Sequence, residues 1–121
     1  MSTRSYIGIS GPEGPNPTVK FIYCHFDGYP EHNGMMLVKH FDTPFKVAKL
    51  IELGDISSLG ETLDETVSYR RDLKRNDGND AATVPLRNYK ADRDVAFKYL
   101  FTEDGEWECY THTGNELNFI L

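Results

Sequence analysis

No stretch of about 18 consecutive apolar residues is present to span a bilayer, and Met1-Ser2-Thr3-Arg4-Ser5-Tyr6 has no apolar core of signal-peptide length. A cytoplasmic protein with no membrane partner is therefore expected. Cysteine is scarce: Cys24 and Cys109 are too few for a disulfide framework and read as free thiols in a reducing compartment. Basic charge is in deficit, with 13 Lys and Arg against 19 Asp and Glu, and the resulting charge of −6 opposes attraction to nucleic acid and anionic lipid. Blocks of like charge are also missing, which argues against imitation of DNA. Neither a Gly-x-Ser-x-Gly nucleophile elbow nor a glycine-rich phosphate loop before a helix occurs.

What remains is enough for one compact domain over residues 1–121, because seven Phe, seven Tyr and one Trp supply large side chains for a core. Residues 4–10 and 18–26 are rich in β-branched and aromatic side chains, and Gly11-Pro12-Glu13-Gly14-Pro15-Asn16-Pro17 between them predicts a hairpin turn. Strand alternation puts Phe21, Tyr23 and His25 on one face and Cys24 on the other. Apolar residues at helical spacing follow from Met35 to Phe41. Thr43-Pro44 then predicts the capped start of a second helix, whose buried stripe is Phe45, Val47, Ala48, Leu50, Ile51 and Leu53 and whose stop is Gly54.

Asp55-Ile56-Ser57-Ser58-Leu59-Gly60 predicts an ordered loop that tucks Ile56 and Leu59 into the core. From Glu61 to Asp94 the pattern is weak, and the charged stretch from Arg70 to Asp80 predicts a mobile excursion near 70–94. Two strand-like runs, 96–101 and 107–112, flank the hairpin signal Asp104-Gly105, and a third run follows Thr113-Gly114-Asn115. The expected fold class is α+β: an antiparallel sheet built from an N-terminal hairpin and a C-terminal meander, with two helices packed on one face. Strand edges and the terminal Phe119, Ile120 and Leu121 could seal a homodimer or complete the core of a monomer.

The segment from Tyr23 to Gly34 crowds potential chemistry into a strand-to-helix turn, where function often sits. Cys24, Cys109 and His112 are metal-ligand types. However, Cys24 is directly adjacent to His25 and the paired-loop spacing of zinc modules is missing, so no metal and no cofactor are expected. For catalysis, Cys24 or Ser57-Ser58 would be the nucleophile, His25 or His32 the base and Asp27 its orienting carboxylate. With no complete signature, a non-enzymatic role leads. The turn alone accounts for Gly28, Pro30 and Gly34, with Asn33 or His32 capping the helix. It leaves His25, Asp27, Tyr29, Glu31, His32, Ser57 and Ser58 as a candidate ligand or partner surface. The run Arg70-Arg71, Lys74, Arg75 is interrupted by Asp72 and followed by Asp77 and Asp80, so it reads as a solvated face. Glu103, Asp104, Glu106 and Glu108 read first as protection of a sheet edge and second as a dock for a basic partner.

Tyr23-Cys24-His25-Phe26-Asp27-Gly28-Tyr29-Pro30-Glu31-His32-Asn33-Gly34, with Leu50-Ile51-Glu52-Leu53-Gly54-Asp55-Ile56-Ser57-Ser58-Leu59-Gly60 after it, resembles a family of small uncharacterised bacteriophage and bacterial proteins. In that family a His-aromatic-Asp-Gly-Tyr-Pro core precedes a helix and a Gly-Asp-x-Ser-Ser-Leu turn. The resemblance covers about the first half of the chain. It implies an accessory protein in the cytoplasm of an infected bacterium, acting by stoichiometric binding to a host protein and inhibiting a defence or regulatory system. The alternative is a small-molecule or nucleotide-binding protein, or an enzyme, with its pocket at the 25–34 turn and the 57–58 loop.

Overall fold

The computed structural model describes residues 2–12, 14–74 and 78–119. Arg75 of the basic run, Asp77, and Ile120 and Leu121 of the terminal apolar run lie outside the described residues. The hairpin forms as expected: β1 (Ser5–Ser10) pairs antiparallel with β2 (Thr18–Cys24), from Ser5 opposite Cys24 to Ser10 opposite Val19. A π-helical turn, Pro30–Gly34, leads into α1 (Met35–His40). Thr43 caps α2 (Pro44–Glu52), its hydroxyl accepting the Lys46 N–H at 3.3 Å, and Gly54 ends it at φ 74°. The following loop is a short strand, β3 (Ile56–Ser58), and it does bury Ile56 and Leu59. β4 (Val67–Ser68) pairs antiparallel with it.

The segment expected to be an excursion near 70–94 holds two packed elements. β5 (Ala82–Pro85) pairs antiparallel with the first half of β2, and α3 (Leu86–Ala91) follows it directly. α3 is a single short helix with one buried anchor, Tyr89, too brief to show a period in the sequence. The chain ends in the expected meander of β6 (Phe97–Phe101), β7 (Trp107–Thr111) and β8 (Glu116–Leu117).

The strands form one sheet in the order β4-β3-β2-β1-β6-β7-β8, with β5 beside β2. The class is α+β, but the sheet is mixed where a purely antiparallel one was expected. β1 runs parallel to β6, from Ser5 beside Phe97 to Ile9 beside Phe101, and β2 runs parallel to β3 at Cys24 and Ile56. Because β5 and β1 are both antiparallel to β2, β5 and β6 point the same way. Joining two strands of one direction requires a crossover over a sheet face, and α3 is that crossover. The two expected helices, α1 and α2, share one face, and α3 is a third helix on the other.

Alternation divides the core accordingly. Ile7, Ile22, Cys24, Tyr99, Phe101, Trp107 and Cys109 face α1 and α2, packing with Leu37, Phe41, Val47, Leu50 and Ile51, whereas Phe45 and Ala48 of the expected α2 stripe are exposed. Val19, Leu100 and Tyr110 face α3 and pack with Tyr89, bordered by Tyr6 and Phe21. Gly8 makes room for this second layer: a Cβ there would stand 2.6 Å from Val19 Cγ1 and 3.1 Å from the Tyr89 hydroxyl. The buried Lys98 ammonium donates to the Lys90 and Asp92 carbonyls at 2.5 Å and so closes the C-terminal end of α3. On the other face, Trp107 Nε1 donates to the Phe41 carbonyl at 2.8 Å and ties the end of α1 to β7. Phe119 packs edge-on against Tyr99 at 5.8 Å, so that part of the terminal run belongs to the chain's own core.

Truncating the α3 anchor, Tyr89→Ala, is expected to cost about 3–5 kcal/mol, whereas Leu73→Ala in the exposed charged stretch should change stability by less than about 0.5 kcal/mol. Urea denaturation of the two variants checks this, and equal, small losses would mean that α3 contributes no packing.

Candidate functional site

The turn from His25 to Gly34 is assembled by backbone bonds to distant strands. The His25 and Phe26 N–H groups donate to the Ile56 and Ser57 carbonyls at 3.2 and 3.0 Å, and Gly28 N–H donates to the Thr3 carbonyl at 2.8 Å. Asp27 occupies the left-handed region at φ 57°, which Asp tolerates better than most residues. Asn33 is fully buried at the centre. Its amide nitrogen donates to the Phe26 carbonyl at 3.4 Å and lies 3.3 Å from Cys24 Sγ and 3.5 Å from Ser5 Oγ, while its oxygen meets His32 Nδ1 at 2.8 Å.

The candidate side chains are consequently distributed among separate tasks. His25 Nδ1 meets the Tyr23 hydroxyl at 2.7 Å, while His32 is engaged by Asn33. Tyr29 and His32 rings lie 6.2 Å apart. Asp27 and Glu31 are exposed, and Glu31 borders a cavity of about 420 Å³ with Met35, Leu117 and Phe119. Ser57 and Ser58 are half-buried in β3. Cys24 and Cys109 share the buried core, where burial pushes their thiols up to about 11 and about 12, so the nucleophilic and metal-binding thiolate is disfavoured at neutral pH. His112 is exposed in the turn after β7. Among the described residues, no group of three or more His, Cys, Asp and Glu side chains is placed to hold a metal ion.

A different set of residues makes another concavity. Tyr6, Phe21, Tyr23, Asp55, Tyr69, Asn79, Asp80 and Ala82 line an open cleft of about 480 Å³ on the α3 side of the sheet. Its origin lies in the way the outer edge of β2 is shared. β5 covers Thr18 to Phe21 and β3 pairs at Cys24, so neither strand supplies a carbonyl to the intervening Tyr23 N–H. The Asp55 carboxylate fills that gap, accepting from Tyr23 N–H at 3.0 Å and from Asn79 N–H at 3.4 Å, while Asp55 N–H donates back to the Asn79 carbonyl at 2.9 Å.

No family model, curated protein or solved structure matches this chain. The cleft must therefore be read from its own chemistry. Its walls are aromatic: the Tyr6 ring lies 4.6 Å from Phe21 and 6.5 Å from Tyr23, and both Tyr6 and Phe21 are braced from behind by Tyr89. Its edge is acidic. Asp80 forms an ion pair with Arg70, and partial burial raises the Asp55 carboxyl above its usual range. Burial first, then Asp92 and Asp94, pushes the Tyr6 hydroxyl up to about 12, and that hydroxyl donates to Asp92 Oδ2 at 3.5 Å. Burial also raises Tyr23, opposed by the nearby Arg4.

Only part of this cleft had a sequence signal. Alternation along β2 put Phe21 and Tyr23 on one face, but Tyr6 joins them through strand register, and Asn79 and Asp80 arrive through a loop without periodicity.

Asn33→Ala should lose about 1–3 kcal/mol, because it strips buried partners from the Phe26 carbonyl and the neighbouring polar groups. Asp27→Gly should lose nothing, since glycine relieves the left-handed strain. Paired urea titrations decide this, with a larger loss for Asp27→Gly pointing to a role for its carboxylate.

A pH prediction follows from the thiols. Their folded values lie above the ordinary 9.0, so the stability they contribute is complete below pH 9 and is lost as pH rises toward 11 and 12. Urea midpoints should hold from pH 7 to 8.5 and fall between about 9 and 11. An unchanged midpoint up to pH 11 would show that the thiols are not held protonated by burial.

Proposed function

We propose that this chain is a binding protein that acts by stoichiometric capture of a partner protein, with the tyrosine-walled cleft as the contact point. The observation that carries the reading is a concave surface where Tyr6, Phe21 and Tyr23 project from the sheet, with Tyr6 and Phe21 braced by Tyr89, and Tyr69 lines it from the turn after β4. Rigid aromatic side chains give large contact area at low entropic cost, which is why tyrosine dominates binding surfaces. The resemblance supports the setting: a bacteriophage-type accessory protein in the bacterial cytoplasm, whose partner is a host protein of a defence or regulatory system.

A pocket at the 25–34 turn and the 57–58 loop has less support, because His25 and His32 are held by Tyr23 and Asn33. The cleft volume also lies within the range of about 300–1,000 Å³ usual for small-molecule sites, so a small ligand is the second reading, at the cleft rather than the turn.

Affinity purification from a bacterial host, with mass spectrometry, tests the leading reading. Wild-type protein and Phe45→Ala, altered at an exposed residue of α2 on the opposite face, should retain the same partner at near-equal stoichiometry. The cleft variant Tyr23→Ala/Asp80→Asn should lose at least about tenfold of it, as expected when contact anchors are removed. Retention of the partner by the cleft variant, or capture of none by the wild type, would overturn the assignment.

A further inference from the structure

We infer that the group entering the cleft is a guanidinium, carried on an arginine side chain of the partner; this inference rests on the binding reading above. Four features of the cleft point to it. The lining combines π faces with carboxylates, a pairing that attracts cations and repels phosphates and carboxylates. Two further carboxylates, Asp92 and Asp94, act on the Tyr6 hydroxyl at the same wall. Within the lining itself the only charged side chains are acidic, Asp55 and Asp80, whereas the cations Arg4 beside Tyr23, Arg70 beside Asp80, and Lys98 and Arg93 near Asp92 are not part of it.

The fourth feature selects guanidinium over ammonium. The acidic edge already holds a guanidinium of the chain's own, since Arg70 pairs with Asp80 and also acts on Asp55. Arginine matches a carboxylate with a planar fork, sheds its weak hydration readily and stacks on aromatic rings, whereas the lysine ammonium is a compact, strongly hydrated charge. The Arg70–Asp80 pair is exposed, with 42% and 80% of the side-chain surfaces accessible, and such a pair is held weakly enough to exchange. Arg70 is thus an internal competitor: an incoming arginine would take over Asp80 and lay its guanidinium against Tyr23 and Tyr69, while Arg70 swings to solvent.

The test is an NMR titration of the ¹⁵N-labelled full chain with four probes: Nα-acetyl-arginine amide, its neutral isostere Nα-acetyl-citrulline amide, Nα-acetyl-lysine amide and AMP. Arginine amide should shift the Tyr6, Phe21, Tyr23 and Asp80 amides saturably, with a Kd at least about tenfold below that of citrulline amide and below that of lysine amide. Arg70→Ala should tighten arginine amide binding by about threefold, and adding Asp80→Asn should reverse the gain. If citrulline amide or AMP shifts the same amides as strongly, the guanidinium inference is overturned while the cleft stands as a binding site. If no probe shifts them, the inference also falls, and partner capture by the cleft is judged separately by the purification above.

Discussion

The Tyr99 hydroxyl donates a hydrogen bond of 2.6 Å to the Gly28 carbonyl, and the Tyr99 backbone carbonyl accepts one of 2.6 Å from the Tyr89 hydroxyl. Through these two bonds a residue of β6 holds the turn on one side of the sheet and α3 on the other. The Tyr99 side chain is fully buried, with burial raising its hydroxyl far above the usual range, so the bond to Gly28 is made by a neutral donor in a dry setting. Everything described depends on β6 lying beside β1. That placement sets Phe97 next to Ser5, brings Ala96 N–H to the Arg4 carbonyl at 3.0 Å, and puts Gly28 within reach.

The same constraint creates the cleft. With β6 taking the inner edge of β1, β3 and β5 share the outer edge of β2, and neither is long enough to cover it. β5 stops at Ala82 opposite Phe21, and β3 meets only Cys24. The gap left at Tyr23 is closed by a side chain instead of a strand. Because α3 must cross the face on which Tyr6, Phe21 and Tyr23 project, Tyr89 braces the Tyr6 and Phe21 rings from behind and leaves the cleft open beside them.

Local chemistry made much of this visible before the structure did. Gly11 to Pro17, Thr43-Pro44, Gly54 and Asp104-Gly105 each impose a backbone geometry on their neighbours, and each marks the boundary it should. Strand direction was not visible, because a period of two reports which face a side chain occupies and nothing about the partner's orientation. α3 was hidden by its brevity: one buried tyrosine in a helix of six residues leaves no repeat to detect. At the site, residue type misled. His25 and His32 stood close in the chain, but the turn engages each with a different polar neighbour, while the cleft draws on positions from Tyr6 to Ala82 that only the sheet brings together.

Asp55 shows how structure and binding share one group. Two N–H donors converge on it from different segments, Tyr23 on one oxygen and Asn79 on the other. An asparagine would offer one accepting oxygen and turn its amide nitrogen toward the second donor, so only a carboxylate satisfies both. The requirement of the sheet edge alone therefore places a partly desolvated negative charge at the foot of a tyrosine wall. Burial of that charge is unfavourable, as its raised carboxyl indicates, and the backbone donors and Arg70 offset the cost only in part. A cation entering the cleft would complete the compensation that the chain's own residues leave unfinished, so the proposed preference for positive charge would follow from the way the edge of β2 is closed.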